Sequence, residues 1–430
     1  LSKIMGIING NYREFKLDNG LVVALQETPT QTIYGQLSVY YGTVHEKAGE
    51  EVLAHFLEHA LATGTEKHSS EEMDEMTSKL GYFNLATSLD ETVLIGDMLY
   101  DDLETYLEII SSSAFYPRLD EKRIEEERQR VLREMSNHKS QPTYADQEVL
   151  KIAVYGKEHP FCLEILGKES VINSATKQDL KNFHSRGYNA ANMDLILVGA
   201  LPRDTESLIA KYFKDKPAGE NKKYKFPQKE RLEKRIVMHT YAPDLYNKEN
   251  PEESNAAVDL GIIVPPKTHE DVYNIILLSK ILGGGPDSRL FRLISKEKGM
   301  AYSINADYNG DNNVGALQMG GRILSKRKEE AINLIFNEFK KLQDYELEKG
   351  ELEREKKRAQ YGLAKIFETN QGHLNAIRAK LEHGITPERF LAGIQSVTSC
   401  SLQEAAIKYL PESKDSDNYV LAIRDPLKFE

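Results

Sequence analysis

Val52-Leu-Ala-His-Phe-Leu-Glu-His-Ala-Leu61 is the stretch from which the fold and the chemistry are read. Its Val, Leu, Ala and Phe residues point in nearly all directions around a helix, so the spacing predicts a buried helix over residues 50–62. Between 52 and 62 the ionisable residues are His55, Glu58 and His59. At about 100° per residue, positions 55, 58, 59 and 62 share one face. A polar face on a buried helix must meet partners, because unpaired buried charge is costly. Two imidazoles at i and i+4 can grip one ion, and zinc suits mixed His and carboxylate ligation. Glu58 lies beside them, placed to act as a base. Read alone, the same residues also suit an internally hydrogen-bonded polar patch. The order His-x-x-Glu-His inverts the commoner His-Glu-x-x-His.

A third ligand is sought by the same logic. In the helix expected over 120–138, Ile124, Val131 and Met135 define an apolar stripe. Glu127 and Glu134 fall on that stripe, and carboxylates there need cations. A metal would satisfy Glu134, with Glu127 one heptad earlier close by. A helix edge with snorkelling carboxylates is the other reading.

Working outward, Phe15–Leu17 and Leu21–Leu25 flank Asp18-Asn19-Gly20, a hairpin signal. Further strands are expected at Gln36–Tyr41, Asn84–Thr87, Thr92–Met98 and Met193–Gly199. Residues 214–234 are rich in Lys, Gly, Pro, Asn and Glu, a linker composition. Beyond it the element order repeats. Strands at Arg235–His239 and Ala257–Val264 precede a helix at Asp271–Leu282, and a last strand falls at Tyr419–Arg424. The expectation is an α+β chain of two related domains, each a mainly antiparallel sheet packed with helices. Their bounds are 1–215 and 234–430, with a linker at 216–233. The helix Asp271–Leu282 has no His or Glu at the metal positions, so the second domain is expected to be inactive.

The chain has 430 residues, too many for one ordinary core. Its 56 Lys and Arg against 67 Asp and Glu leave a net charge of −11, which disfavours nucleic acid as a partner. Only Cys162 and Cys400 are present, too few for a disulfide framework or a thiolate zinc site. No apolar run approaches the ~18 residues of a membrane span. The N-terminus, which begins at Leu1 rather than Met, shows no basic stretch followed by an apolar one. No secretory signal is therefore read there, a cytoplasmic location is expected, and an earlier segment is allowed for.

At this point the sequence resembles the pitrilysin/insulinase family of zinc peptidases, which includes mitochondrial processing peptidases and half-length prokaryotic members. His55-x-x-Glu58-His59 is followed by Glu134, 75 positions after His59, as the family pattern requires. Leu53-Ala54, Gly64-Thr65, His159-Pro160 and Ile165-Leu-Gly167 also match, as do Gly283–Phe291 and Gly299-Met-Ala-Tyr302 in the second half. The resemblance implies Zn2+ on His55, His59 and Glu134, with Glu58 as base and Glu127 as a supporting carboxylate. It implies that Asn84, Leu85, Ala86 and Thr87 form a substrate-binding edge strand and that Tyr302 contacts substrate. The family's Arg seven residues before that Tyr is Ser295 here, and the expected substitute is Arg292, Lys296 or an Arg supplied by a partner chain. Val52, where Gly is usual, reads as neutral. The implied activity is endopeptidase cleavage of unfolded peptides. It would occur in a chamber closed by a second chain, as a homodimer or a heterodimer with a relative. The alternative is a poorly active or non-catalytic subunit of a hetero-oligomeric complex.

Overall fold

Asn19 and Gly20 turn the first hairpin. Gly20 takes φ +99, and Asn19 Nδ2 donates to the Phe213 and Lys216 carbonyls. The turn joins strands β1 (Tyr12–Lys16) and β2 (Val22–Glu27) of a computed structural model. The structure describes residues 11–427 except Arg231, Glu233, Glu346, Glu348 and Lys349. The reading of the N-terminus at residues 1–10 lies outside them.

Two compact units are present. Unit one comprises residues 11–138, Leu163–Tyr224 and Ala364–Glu382, and unit two comprises Lys139–Cys162, Lys225–Leu363 and 383–427. In unit one, β1 and β2 join β3 (Thr32–Val39), β4 (Tyr82–Thr87), β5 (Thr92–Leu99) and β6 (Met193–Gly199) in the order β1-β2-β6-β3-β5-β4. In unit two, β7 (Ile236–Tyr241), β8 (Asn255–Val264), β9 (Ala301–Gly310), β10 (Gly315–Leu324) and β11 (Val420–Asp425) take the order β7-β11-β8-β10-β9. The inner pair β2–β6 is parallel, as is β7–β11, and the remaining matched pairs are antiparallel in both sheets. Identical order and direction support the duplication read from the repeated element pattern. The two sheets are mainly antiparallel and packed with helices, as expected. The reading contained no strand at β9. Its alternation is legible in retrospect: Ile304 and Ala306 are buried, and Asn305, Asp307 and Asn309 are exposed.

Unit one carries helices α1 (Leu53–Leu61), α2 (Ser70–Ser78), α3 (Leu103–Phe115) and α4 (Glu121–Lys139). After α5 (Pro142–Tyr155) come α6 (Glu169–Ser174), α7 (Lys177–Gly187) and α8 (Thr205–Phe213). The later helices are α9 (Val272–Gly283), α10 (Lys328–Asp344), α11 (Glu351–Ile366), α12 (Asn370–His383), α13 (Pro387–Ser396) and α14 (Ser399–Tyr409).

Two helices depart from any linear division of the chain. Helix α5 packs on the sheet of unit two, where Leu150, Ala153 and Val154 meet Ile263, Ala316, Val420 and Ala422. Its Asp146 pairs with Arg322 and Arg424. Helix α12 packs on the sheet of unit one, where Leu374 and Ile377 meet Ala24, Tyr34, Ile196 and Val198. Described residues of the 216–233 segment are also docked rather than loose. Residues up to 224 bond to unit one, through Asn192 Oδ1 to Lys222 N and His45 Nε2 to Lys222 O. From 225 onward the segment bonds to unit two, through Asn313 Nδ2 to Phe226 O and Lys229 Nζ to Tyr155 O.

The centre of the first sheet is fitted around one ring. Gly35 on β3 and Gly96 on β5 are cross-strand partners, and Tyr106 of α3 lies over both. A Cβ at either position would meet the ring at 2.5 Å. Tyr106 is fully buried and its hydroxyl donates to the Leu94 carbonyl at 3.1 Å. Overpacking such a slot costs about 1–3 kcal/mol. Gly96→Ala should therefore lower the urea midpoint of unfolding by that amount of stability, and an unchanged midpoint would show the slot to be slack.

Candidate metal centre

Helix α1 is apolar almost throughout, with Leu53, Ala54, Phe56, Leu57, Ala60 and Leu61 buried. Burial fixes its orientation, so its few polar side chains are delivered to one place. Its N-cap is Val52, at φ +120 and ψ −11 and with no exposed surface. A β-branched residue at positive φ is a strained conformer, costing of the order of 1–3 kcal/mol. Val52 is thus not neutral: glycine would take this conformation without strain. The sequence holds no sign of it, because φ here is imposed by tertiary fit.

His55 and His59 lie on one face of α1, and Glu134 comes from α4. One ligand atom from each lies within 4.8 Å of the others. Glu134 Oε2 is 3.6 Å from His55 Nε2 and 3.4 Å from His59 Nε2. Tetrahedral zinc with bonds of about 2.0–2.1 Å separates its ligands by about 3.3 Å, and both separations from Glu134 are close to that. The two rings stand nearly perpendicular, at 88°. Burial, with the neighbouring His59 imidazole, holds His55 down at about 4, so its lone pair is available at neutral pH. Among the described residues no lysine or arginine pairs with Glu134, whose charged neighbours are the two imidazoles.

Glu127 is where the periodicity of α4 places it. It is buried, whereas the Glu134 side chain is 51% exposed. The two carboxylates on the stripe therefore differ: one is packed in, the other opens to the cavity. His59 Nδ1–H donates to Glu127 Oε2 at 3.0 Å, which turns Nε2 toward the metal position. Burial alone would lower His59, but this bond and the charges of Glu58, Glu127 and Glu134 outweigh it and raise it. Arg130 holds the other Glu127 oxygen at 2.8 Å.

Glu58 sits between the trio and the sheet edge. Burial pushes it up to about 7, against the opposing pull of His59 and a hydrogen bond from Thr87 Oγ1 at 3.3 Å. Strand β4 is the edge of its sheet and pairs only with β5, so its outer main-chain groups face away from the ladder. A cavity of about 500 Å³ is lined by His55, Glu58, His59, Glu134 and residues 84–87. His138, Ile165 and Leu166 complete it. A second hollow of about 330 Å³ shares Asn84 and Leu85 and adds Phe83, Arg123 and Arg130. His138 was not anticipated as a site residue. Its place four residues after Glu134 on the same helix face was the available signal.

The remaining expected residues lie in unit two. Tyr302 is the second residue of β9 and is 96% exposed. A π-helix, Phe291–Glu297, precedes it. Ser295, at the usual Arg position, donates its hydroxyl to the Tyr302 carbonyl at 3.1 Å. Arg292 lines a cavity of about 210 Å³ with Arg289, Leu293, Glu297, Glu338 and Lys341, and its Nε is buried without an acceptor.

Outer partners of metal-bound His typically contribute about 10- to 100-fold in affinity. Glu127→Ala should weaken zinc binding by that factor in a chelator competition. Wild-type affinity would make Glu127 a packing residue only.

Comparison with known proteins agrees with this geometry. The family model described as "Insulinase (Peptidase family M16)" matches residues 22–160, and "Peptidase M16 inactive domain" matches residues 174–359. An uncharacterized zinc protease of Rickettsia felis is 29% identical over 306 residues, covering 70% of each chain. Among solved structures, a peptidase M16 inactive domain from Pseudomonas fluorescens has a TM-score of 0.84 at 20% identity, covering 97% of this chain and 98% of that one. The periplasmic protease PqqL from Escherichia coli has a TM-score of 0.79 at 18% identity, with 97% of this chain covering 48% of it. Two models of one family match in succession along the chain, one of them spanning both the His-x-x-Glu-His helix and Glu134. The chain belongs to the insulinase family of peptidases, family M16.

Proposed function

We propose that the chain is a zinc-dependent endopeptidase acting on extended, unfolded peptides. The observation that carries this reading is a single cavity. It brings together the His55, His59 and Glu134 donors, the buried Glu58 carboxylate and the open edge of β4. Zinc, when bound, supplies the Lewis acidity that acidifies water and polarises a carbonyl.

The protein's own groups supply the rest. Glu58, poised near neutral pH by burial, takes the proton of the attacking water and returns it to the leaving amine. The peptide main chain adds to β4 as a further strand along Asn84, Leu85, Ala86 and Thr87. Main-chain pairing is indifferent to sequence, so selectivity falls to the flanking hollows. Tyr302 is the unit-two residue proposed to meet substrate; its near-complete exposure suits that role. Arg292 is the weaker candidate, since Ser295 and not Arg292 is bonded to Tyr302.

A partner chain is part of the proposal. This chain covers about half of PqqL. A second copy or a relative would supply the other half of an enclosure that admits unfolded peptides and excludes folded proteins. Among the described residues no helix is long and apolar enough to cross a membrane.

General acid–base groups contribute about 10²–10⁴-fold. Glu58→Gln should keep its zinc and lose at least about 100-fold in peptide cleavage, and near-normal cleavage would remove Glu58 as the base. In sedimentation run at assay concentrations, the active species should be a dimer, or activity should need a companion chain. A monomer cleaving at full rate would refute the shared enclosure.

A further inference from the structure

The first turn of α1 carries His55, and nothing in that turn caps it. Val52, at the N-cap, offers no side-chain acceptor. The acceptor comes from six residues upstream. Glu46 Oε1 takes the N–H of Val52 at 3.2 Å and that of Ala54 at 2.8 Å. Among the described residues no lysine or arginine pairs with Glu46, and its carboxyl oxygen serves the helix start. Two of the orphan donors of the helix N-terminus are thereby satisfied by a side chain outside the helix.

The two bonded N–H groups flank Val52, which stands at φ +120. Further contacts close in on the entry segment. Leu53 N–H donates to the Glu50 carbonyl at 2.8 Å, and Lys168 N–H to the Glu51 carbonyl at 3.3 Å. Gly167 packs so close that a Cβ there would lie 2.5 Å from the Glu51 carbonyl oxygen and 2.6 Å from Val52 Cβ. A strained residue persists only when its surroundings over-determine it. Here the strained residue stands three positions before His55, and the bonded Ala54 stands one before it. If the strain relaxed, the first turn would rotate and His55 Nε2 would leave its station 3.6 Å from Glu134 Oε2.

We infer that Glu46 is a positioning residue of the metal centre: its carboxyl oxygen caps α1 from outside the helix, holds Val52 in its strained conformation and so fixes His55 for zinc. The inference rests on the zinc reading of the site and adds a residue to it.

The test is zinc affinity of the full chain, measured by titrating metal-free protein against a chromophoric competing chelator. Thermal melts run alongside report folding separately. Glu46→Met keeps the bulk and removes the acceptor; it should weaken zinc by about 10- to 100-fold, the usual range for outer partners. Glu46→Gln keeps the accepting oxygen and should stay within about threefold of wild type by the same scale. Val52→Gly removes the strain, so Glu46→Met should cost much less zinc affinity in that background. The double variant also carries the test should the single one fail to fold. Wild-type affinity in Glu46→Met, or equal losses from it with and without Val52→Gly, would overturn the inference. So would a Glu46→Gln loss as large as that of Glu46→Met. A wild-type chain that bound no zinc would overturn the site itself, and is seen first.

Discussion

Burial of α1 on nearly every side is the constraint on which the site depends. An apolar helix has one orientation in the core, and it cannot turn His55, Glu58 and His59 to solvent without exposing Leu53, Phe56 or Leu57. The three polar side chains must therefore find partners in place, and among the described residues His55 Nδ1 has none. Glu127 satisfies one imidazole from α4, Thr87 reaches Glu58 from β4, and Glu134 faces both His Nε2 atoms. What remains is a group of three donors, with Glu134 near tetrahedral-ion separations from each imidazole and a base beside them. The desolvation that lowers His55 and raises Glu58 has the same origin. One physical cause thus prepares a neutral ligand and a base poised near neutral pH.

The second unit shows the same burial without the ionisable residues. Helix α9 follows β8 as α1 follows β3, and it is equally buried. Counted from the helix start, the positions of His55, Glu58 and His59 are taken by Asn274, Leu277 and Leu278. The leucines join the core of unit two, and Asn274 accepts from Ser401 Oγ at 3.0 Å. An apolar helix with no polar face needs no metal. The fold is retained and the chemistry is not, so architecture alone does not specify activity.

Much of this was legible in the sequence, and the limits have physical reasons. His55, Glu58 and His59 are readable because their relation lies within one helical turn. Glu127 and Glu134 are readable because a carboxylate on an apolar stripe breaks a periodic pattern. Their different exposure was not readable, since periodicity gives a face and not the depth of the cavity it meets. The packing of α5 on the second sheet and α12 on the first was also hidden. An amphipathic face records that it will be covered, not by which sheet. Val52 and Glu46 were missed for a third reason. The strain at one and the cap from the other arise only when segments six residues apart are folded back on each other.

The central claim is that the His55, His59 and Glu134 donors hold zinc and that this ion is required for peptide cleavage. Metal content by mass spectrometry, measured on wild-type and Glu134→Gln protein alongside cleavage of a quenched fluorogenic peptide with and without chelator, tests it most directly. The account predicts one zinc per wild-type chain, strong depletion in Glu134→Gln, and cleavage abolished by chelator and restored by added zinc. Full zinc occupancy in Glu134→Gln, or cleavage indifferent to chelator, would contradict it.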